Sequence, residues 1–158
     1  MEIRLAQPQD VPGILALLRQ VGDMHHLGRP DMFRSNAQKY GASQILNMLD
    51  SVTNPIYVAI DEEHVVGCGS CMVRTYFRDP VMEDHTTLYI DNLCVDKDHR
   101  RRHIGTAIYE KIMGFAKLHQ CHNVTLNVWS CNQDAIKFCE SIGLKPQNIG
   151  MEALLEEH

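Results

Sequence analysis

No stretch of this 158-residue chain is apolar for long enough to cross a bilayer. Met1-Glu2-Ile3-Arg4-Leu5 lacks the shape of a signal peptide and reads as a strand, so a cytoplasmic protein is expected. Nor is there an excess of positive charge. Fifteen Lys and Arg face 20 Asp and Glu, a net charge of −5, which disfavours wholesale binding to nucleic acid. No second CxxC accompanies Cys68-Gly69-Ser70-Cys71, and no helix pattern follows it. The six cysteines, Cys68, Cys71, Cys94, Cys121, Cys131 and Cys139, mostly sit in apolar runs and read as reduced thiols that pack. His119-Gln120-Cys121-His122 has no second ligand cluster at a suitable spacing, so no metal is expected. A redox or metal protein built on these residues is the competing reading, and it predicts stoichiometric metal. Repeats, linkers and low-complexity segments are also missing, and the length suits one domain over 1–158.

What is present centres on one stretch. Leu88 to Val95 is strand-like, Ile104 to Leu118 is helix-like, and between them runs Asp96-Lys97-Asp98-His99-Arg100-Arg101-Arg102-His103. Unpaired N–H groups and partial positive charge at a helix start hold anions. Three arginines add full charges and fork-shaped donors suited to phosphate. A local basic loop in an acidic protein points to a small anionic ligand, a diphosphate in particular.

The rest of the chain falls into elements around it. Met1 to Ala6 reads as a strand. Asp10 and Pro12 open a helix over about Val11 to Val21, with Val11, Ile14, Leu15, Leu18 and Val21 on one face and Gly22 ending it. Asp23 to Tyr40 has no clear period and reads either as a lid or pocket wall or as a plain connection. Ala42 to Val52 reads as a helix. Ile56–Ile60 and Val65–Phe77 form a hairpin around Asp61–His64, and Thr86 to Val95 is a third strand. Helix three carries Ile104, Ala107, Ile108, Ile112, Phe115 and Leu118. His122 to Val128 is a strand, and Asn132 N-caps a fourth helix that ends at Gly143. Leu144–Gln147 and Ile149–Leu155 read as closing strands. This order predicts one α/β domain with a mixed, mostly antiparallel sheet of six to seven strands and about four helices, with a right-handed crossover around Arg100–Thr106.

Three pieces of this pattern resemble the GNAT superfamily of N-acetyltransferases. The family's acyl-CoA loop reads Gln/Arg-x-x-Gly-x-Gly/Ala, and Arg100-Arg101-Arg102-His103-Ile104-Gly105 fits all but one position. Ile90-Asp91-Asn92-Leu93-Cys94-Val95-Asp96 resembles its fourth strand. Asn132 to Leu144 resembles its Asn-x-x-Ala-x-x-Phe-Tyr-Glu-x-x-Gly-Phe signature. The resemblance implies acetyl-CoA as co-substrate, no metal, and transfer of acetyl to a primary amine of a small molecule or peptide by direct attack in a ternary complex. It also implies a cofactor site of Leu93, Cys94 and Val95 on the strand and Arg100, Arg101, Arg102, His103, Ile104, Gly105 and Thr106 in the loop; Asn127 and Asn132, at the end of the next strand and the start of helix four, are placed to bind the pantetheine arm of the cofactor or the acceptor. The backbone N–H groups of Leu93 to Val95 would polarise the thioester oxygen. Asn132 as an N-cap is compatible with that role.

Two departures bear on mechanism. His103 stands at the loop's first glycine, which a side chain tolerates if φ stays negative. It either adds a hydrogen bond or faces solvent. Cys139 stands where the family has a tyrosine that can protonate the departing thiolate. It is either the general acid or a packed side chain lining the CoA channel.

Asp91 is the best acidic candidate for taking the amine's proton through water, against a role in ordering the strand end. Strand alternation puts it on the face of Leu93, with Asn92 and Cys94 opposite. His25 and His26 are alternative bases or acceptor-site residues. Met24–Phe33 with Phe33, Thr75–Phe77, Tyr89 and Trp129 are expected to wall the amine pocket, and Glu83, Asp84 and Asp91 would suit a cationic acceptor. The expected partners are a small-molecule or peptide amine and, as a further option, a second copy of the chain, with no nucleic acid and no membrane. A non-catalytic acyl-CoA sensor of the same fold is the alternative, and Cys139 is the feature that favours it.

Overall fold

The computed structural model describes residues 1–156. Its strands are β1 (Glu2–Leu5), β2 (Ile56–Asp61), β3 (His64–Tyr76), β4 (His85–Val95) and β5 (Asn123–Leu126). Its helices are α1 (Val11–Gly28), α2 (Ala42–Met48), α3 (Ile104–Leu118) and α4 (Gln133–Ser141). One sheet runs in the order β1-β2-β3-β4-β5. The first four strands pair antiparallel, and β5 joins β4 in parallel after the crossover through α3. At the β2–β3 turn Glu62 and Glu63 both have positive φ, the backbone of a tight two-residue hairpin.

Each face of the sheet has its own core. Val11, Ile14, Leu17 and Leu18 of α1 and Ile45 of α2 bury against Ile56, Val58 and Cys68. Ile104, Ile108, Ile112 and Ala116, one stripe of α3, bury against Ala59, Val66, Cys71, Leu88 and Ile90. Leu118, expected in that stripe, is exposed. Cys68 and Cys71 thus serve opposite faces of β3, as residues three apart in a strand must.

Three further expectations fail. The sheet has five strands among the described residues, not six to seven, because 144–156 forms no strand. Met151 and Leu155 there are 88% and 97% exposed, so their apolar side chains find no sheet face to bury against. Helix α1 does not stop at Gly22 but runs to Gly28, taking Met24, His25, His26 and Leu27 into the helix. Glycine weakens a helix without breaking it. Here it also admits the returning chain, since a Cβ on Gly22 would lie 2.9 Å from the Ala37 carbonyl oxygen. Helix α2 stops at Met48, which leaves Val52 exposed.

Candidate acyl-transfer site

The pairing of β4 with β5 ends at Ile90 and Leu126. Strand β4 continues alone on that side to Val95, so the sheet opens there. A bulge marks the same place. Cys71 pairs with Ile90 and Ser70 with Asn92, leaving Asp91 as the extra residue. The bulge changes the facing of the rest of the strand. Leu88, Ile90, Leu93 and Val95 pack on the α3 side, and Cys94 packs on the α1 side. Asn92 Nδ2 donates to Ser70 Oγ and to Asp91 Oδ2, each at 3.1 Å. Asp91 therefore does not share a face with Leu93, because simple alternation fails across one inserted residue.

The ladder also orients the amides of this segment. The Asp96 N–H donates to the Val66 carbonyl at 2.8 Å. Alternation along the antiparallel pair turns the Cys94 N–H toward β3 and those of Leu93 and Val95 toward the open edge. Of the three amides expected to meet an acyl group, those of Leu93 and Val95 face the open edge and that of Cys94 belongs to the ladder with β3.

Asp91 is well held. Its side chain is 9% exposed and receives Lys39 Nζ at 2.8 Å on Oδ1 and Tyr40 Oη at 2.7 Å on Oδ2. Burial, then the bond to Asp91, pushes the Tyr40 phenol up to about 12, so Tyr40 stays a donor at neutral pH. Sequence reasoning missed Lys39 and Tyr40. They lie at the end of the segment without a period, where no pattern links them to β4.

His25, Phe33 and Trp129 form one aromatic cluster, which the charge of Lys39 reaches through His25. His25 and Phe33 have ring centroids 4.9 Å apart, Phe33 and Trp129 meet edge-on at 5.0 Å, and Trp129 is 39% exposed. Burial, and then the charge of Lys39, lowers the His25 pKa, which favours neutral imidazole. His26 serves the scaffold: its Nδ1 bonds the Phe33 carbonyl at 2.7 Å and ties the loop to α1. Tyr89 lies close enough to Tyr40 to act on it electrostatically. Its ring is stacked by the Arg74 guanidinium at 3.9 Å, and its hydroxyl accepts from Asn127 Nδ2 at 3.3 Å. A cavity of about 370 Å³ adjoins this group, between Met24, Leu27 and Gly28 of α1 and Cys131, Asn132, Gln133 and Asp134 at the start of α4. Thr75–Phe77, Glu83 and Asp84 are not part of the site. They sit at the far end of β3 and β4, and seven residues of strand put Asp84 roughly 20 Å from Asp91.

The basic loop follows β4. Asp96 accepts Gln20 Nε2 and pairs with His99 Nδ1, each at 2.7 Å, which fastens α1 to the loop. The Gln20 bond outweighs partial burial and, with His99, lowers the Asp96 pKa. Arg101 and His103 both have positive φ, at 65° and 60°. The expectation of a negative φ at His103 is thus overturned. The left-handed turn that glycine makes freely is made here by histidine, whose side chain gives no capping bond. The first intrahelical bond of α3 runs from Ala107 N to His103 O, leaving the amides of Ile104, Gly105 and Thr106 without helical partners. A Cβ on Gly105 would meet the Phe138 ring at 3.1 Å, so its lack of side chain lets α4 close over the start of α3. Arg100 touches Met24 Sδ at 3.5 Å, and Arg102 lies 3.5 Å from Asp61.

On α4, Asn132 accepts the Ala135 N–H at 3.2 Å, the N-cap read from sequence. Cys139 is half-buried, and burial pushes its thiol up, so it is protonated at neutral pH. It also acts electrostatically on the Tyr109 phenol of α3.

These parts suit one kind of ligand. The loop and the α3 amides offer donors and positive charge to a diphosphate, and the open β4 edge offers backbone pairing to an amide-bearing arm. The arm would run toward Asp91. No three or more His, Cys, Asp and Glu residues cluster as metal ligands among the described residues.

No curated protein sequence matches the chain. A mutant form of the BH1408 protein from Bacillus halodurans is 32% identical, with 99% of this chain and all of that one covered at a TM-score of 0.94. A glucosamine-6-phosphate N-acetyltransferase from Arabidopsis thaliana shares the fold at 19% identity, with 98% of each chain covered and a TM-score of 0.72. So does an aminoglycoside acetyltransferase from an uncultured soil metagenomic sample, at 18% identity, 98% coverage of each chain and a TM-score of 0.67. The model of the Acetyltransferase (GNAT) family matches residues 23–144, and the chain belongs to that family, whose members use acetyl-CoA.

Proposed function

We propose that this protein transfers an acetyl group from acetyl-CoA to a primary amine by direct attack in a ternary complex. The observation that carries the reading is the position of Asp91. It is a nearly buried carboxylate on the bulge, at the point where β4 parts from β5 and just before the segment whose Leu93 and Val95 amides face the open edge. An ammonium already rests on it, that of Lys39.

Arg100, Arg101, Arg102 and the amides of Ile104, Gly105 and Thr106 hold the diphosphate. The Leu93 and Val95 amides hold the arm and carbonyl end, and bound acetyl-CoA supplies the activated acetyl group. Aliphatic amines are largely protonated at neutral pH, with lysine near 10.4. Asp91 binds such a cation and takes its proton, directly or through one water. Trp129, Phe33 and His25 cover the body of the acceptor and exclude water from the reacting end. Cys139, protonated, gives a proton to the departing sulfur.

The acceptor class is a primary amine. Amine-bearing sugars join polyamines and peptide amines in the panel that tests it, since fold neighbours act on an aminoglycoside and on glucosamine 6-phosphate. The experiment measures free thiol release from acetyl-CoA together with a 42 Da gain on the amine. Release with matching acetylation supports the enzyme. If no amine of the panel is acetylated while CoA binds with measurable heat, the acyl-CoA sensor reading that Cys139 favours replaces it.

A further inference from the structure

Lys39 occupies the place where the acceptor's ammonium belongs. Two contacts hold it, and its charge reaches the aromatic wall. Its Nζ is 2.8 Å from Asp91 Oδ1, it lies 5.5 Å from the centroid of the Tyr40 ring, and its charge is felt by His25 of the aromatic wall. It reaches Asp91 across 52 positions of sequence, on a connection that the chain folds back over β4. The side chain is 47% exposed, so the ammonium is held at the tip while the stem keeps room to move.

The distances allow more than an ion pair. Asp91 and Leu93 are two residues apart on β4, Asp91 being the inserted residue of the bulge. The Leu93 amide faces the open edge, where the thioester oxygen is expected to sit. A four-carbon stem with free torsions lets Nζ swing between the carboxylate and that point. Of the chain's six lysines, Lys97 adjoins the loop at the other end of this segment, while Lys111, Lys117, Lys137 and Lys145 belong to α3, α4 and the chain after α4.

We propose that Lys39 is an intramolecular acetyl acceptor, a self-modification site of this protein. This rests on the acetyl-transfer reading of the same site. The step is the one written for an external amine. Asp91 removes a proton from the Lys39 ammonium, and the Nζ lone pair forms a C–N bond to the acetyl carbonyl carbon. The C–S bond then breaks and the sulfur leaves with its electron pair. One ammonium and one thioester give one amide, one thiol and one proton. Acetyl-Lys39 carries no charge and no longer pairs with Asp91, so the carboxylate is left to an external amine.

The test incubates the full chain with acetyl-CoA carrying a ¹³C-labelled acetyl group and maps the label by peptide mass spectrometry. Lys39 is expected to be labelled at least tenfold faster than any other lysine. Its rate should saturate with acetyl-CoA and be independent of protein concentration, as an intramolecular reaction requires. Asp91→Asn should slow labelling at Lys39 and leave the other lysines unchanged. Labelling of Lys39 no faster than of Lys97 or Lys111, or a rate that rises with protein concentration, overturns the inference. The same preparation is assayed against the amine panel. Turnover of an amine with Lys39 unlabelled removes the self-modification and keeps the function. Neither reaction, with CoA bound, removes both.

Discussion

Tyr40 Oη lies 2.7 Å from Asp91 Oδ2, joining residues 51 positions apart. This bond ties the connection between α1 and α2 to the bulged strand, and it holds the carboxylate on which the proposed chemistry depends.

Tyr40→Phe removes one donor from that carboxylate. The expected loss is about 1.5 kcal/mol of stability at neutral pH, the low end of the range for hydrogen bonds to a charged group, because the phenol is only partly buried. The sign with pH comes from the phenol. Its folded value is raised to about 12, above an unfolded value near 10. Folding thus favours the protonated form, and the stability this confers is whole below pH ~10 and lost as pH rises toward 12. Urea unfolding across pH 7–12 should show the gap between wild type and Tyr40→Phe closing in that window. A gap that stays constant would mean that the bond contributes nothing.

The basic loop divides its work unevenly. Arg102 already lies 3.5 Å from Asp61, whereas the charges of Arg100 and Arg101 are exposed. Arg100→Ala combined with Arg101→Ala should weaken acetyl-CoA binding about tenfold, and by more at low salt, where the Debye length is longer. Arg102→Ala should cost less. Calorimetric titration at two salt concentrations reads all three. Equal affinity in wild type and double variant would misplace the diphosphate.

His103 adopts φ of 60° at the position where the family pattern has glycine. A non-glycine residue there costs on the order of 1 kcal/mol. His103→Gly should therefore stabilise the fold by about that amount in denaturant unfolding and leave acetyl-CoA affinity within twofold, because the backbone donors are unchanged. A large loss of affinity would instead assign the imidazole to the ligand.

Cys139→Ala tests the proton donor. A thiolate is a tolerable leaving group by itself, so the expected drop in kcat is about tenfold, near or below the low end for general acids, with KM for acetyl-CoA unchanged. If kcat holds and KM rises, Cys139 lines the channel and gives no proton.

Much of this was legible because the relevant forces are local. Helix α3 spans the run read from its apolar period, Ile104 to Leu118, although Leu118 itself is exposed, and Asn132 caps α4 as its side chain dictates. The basic loop was visible as charge between two periodic elements. What was hidden depends on partners distant in sequence. The bulge at Asp91 exists only in the register of β4 against β3, so alternation read from one strand misassigned the facing of Leu93. Gly22 reads as a helix end until the approach of Ala37 explains it. Lys39 and Tyr40 have no period, and their role appears only where the chain folds back onto β4. The tail reads as strand from its apolar residues, yet its only ion pair among the described residues, Arg29 with Glu152, holds it against the end of α1 without a ladder.

The most direct test of Asp91 as the group that takes the acceptor's proton is the pH dependence of kcat/KM for Asp91→Asn beside wild type, with an amine the wild type acetylates. The expected loss is about 10²-fold at pH 7, shrinking as the pH approaches 10 and the free amine becomes abundant. A loss of the same size at every pH, or no loss at pH 7, would contradict it.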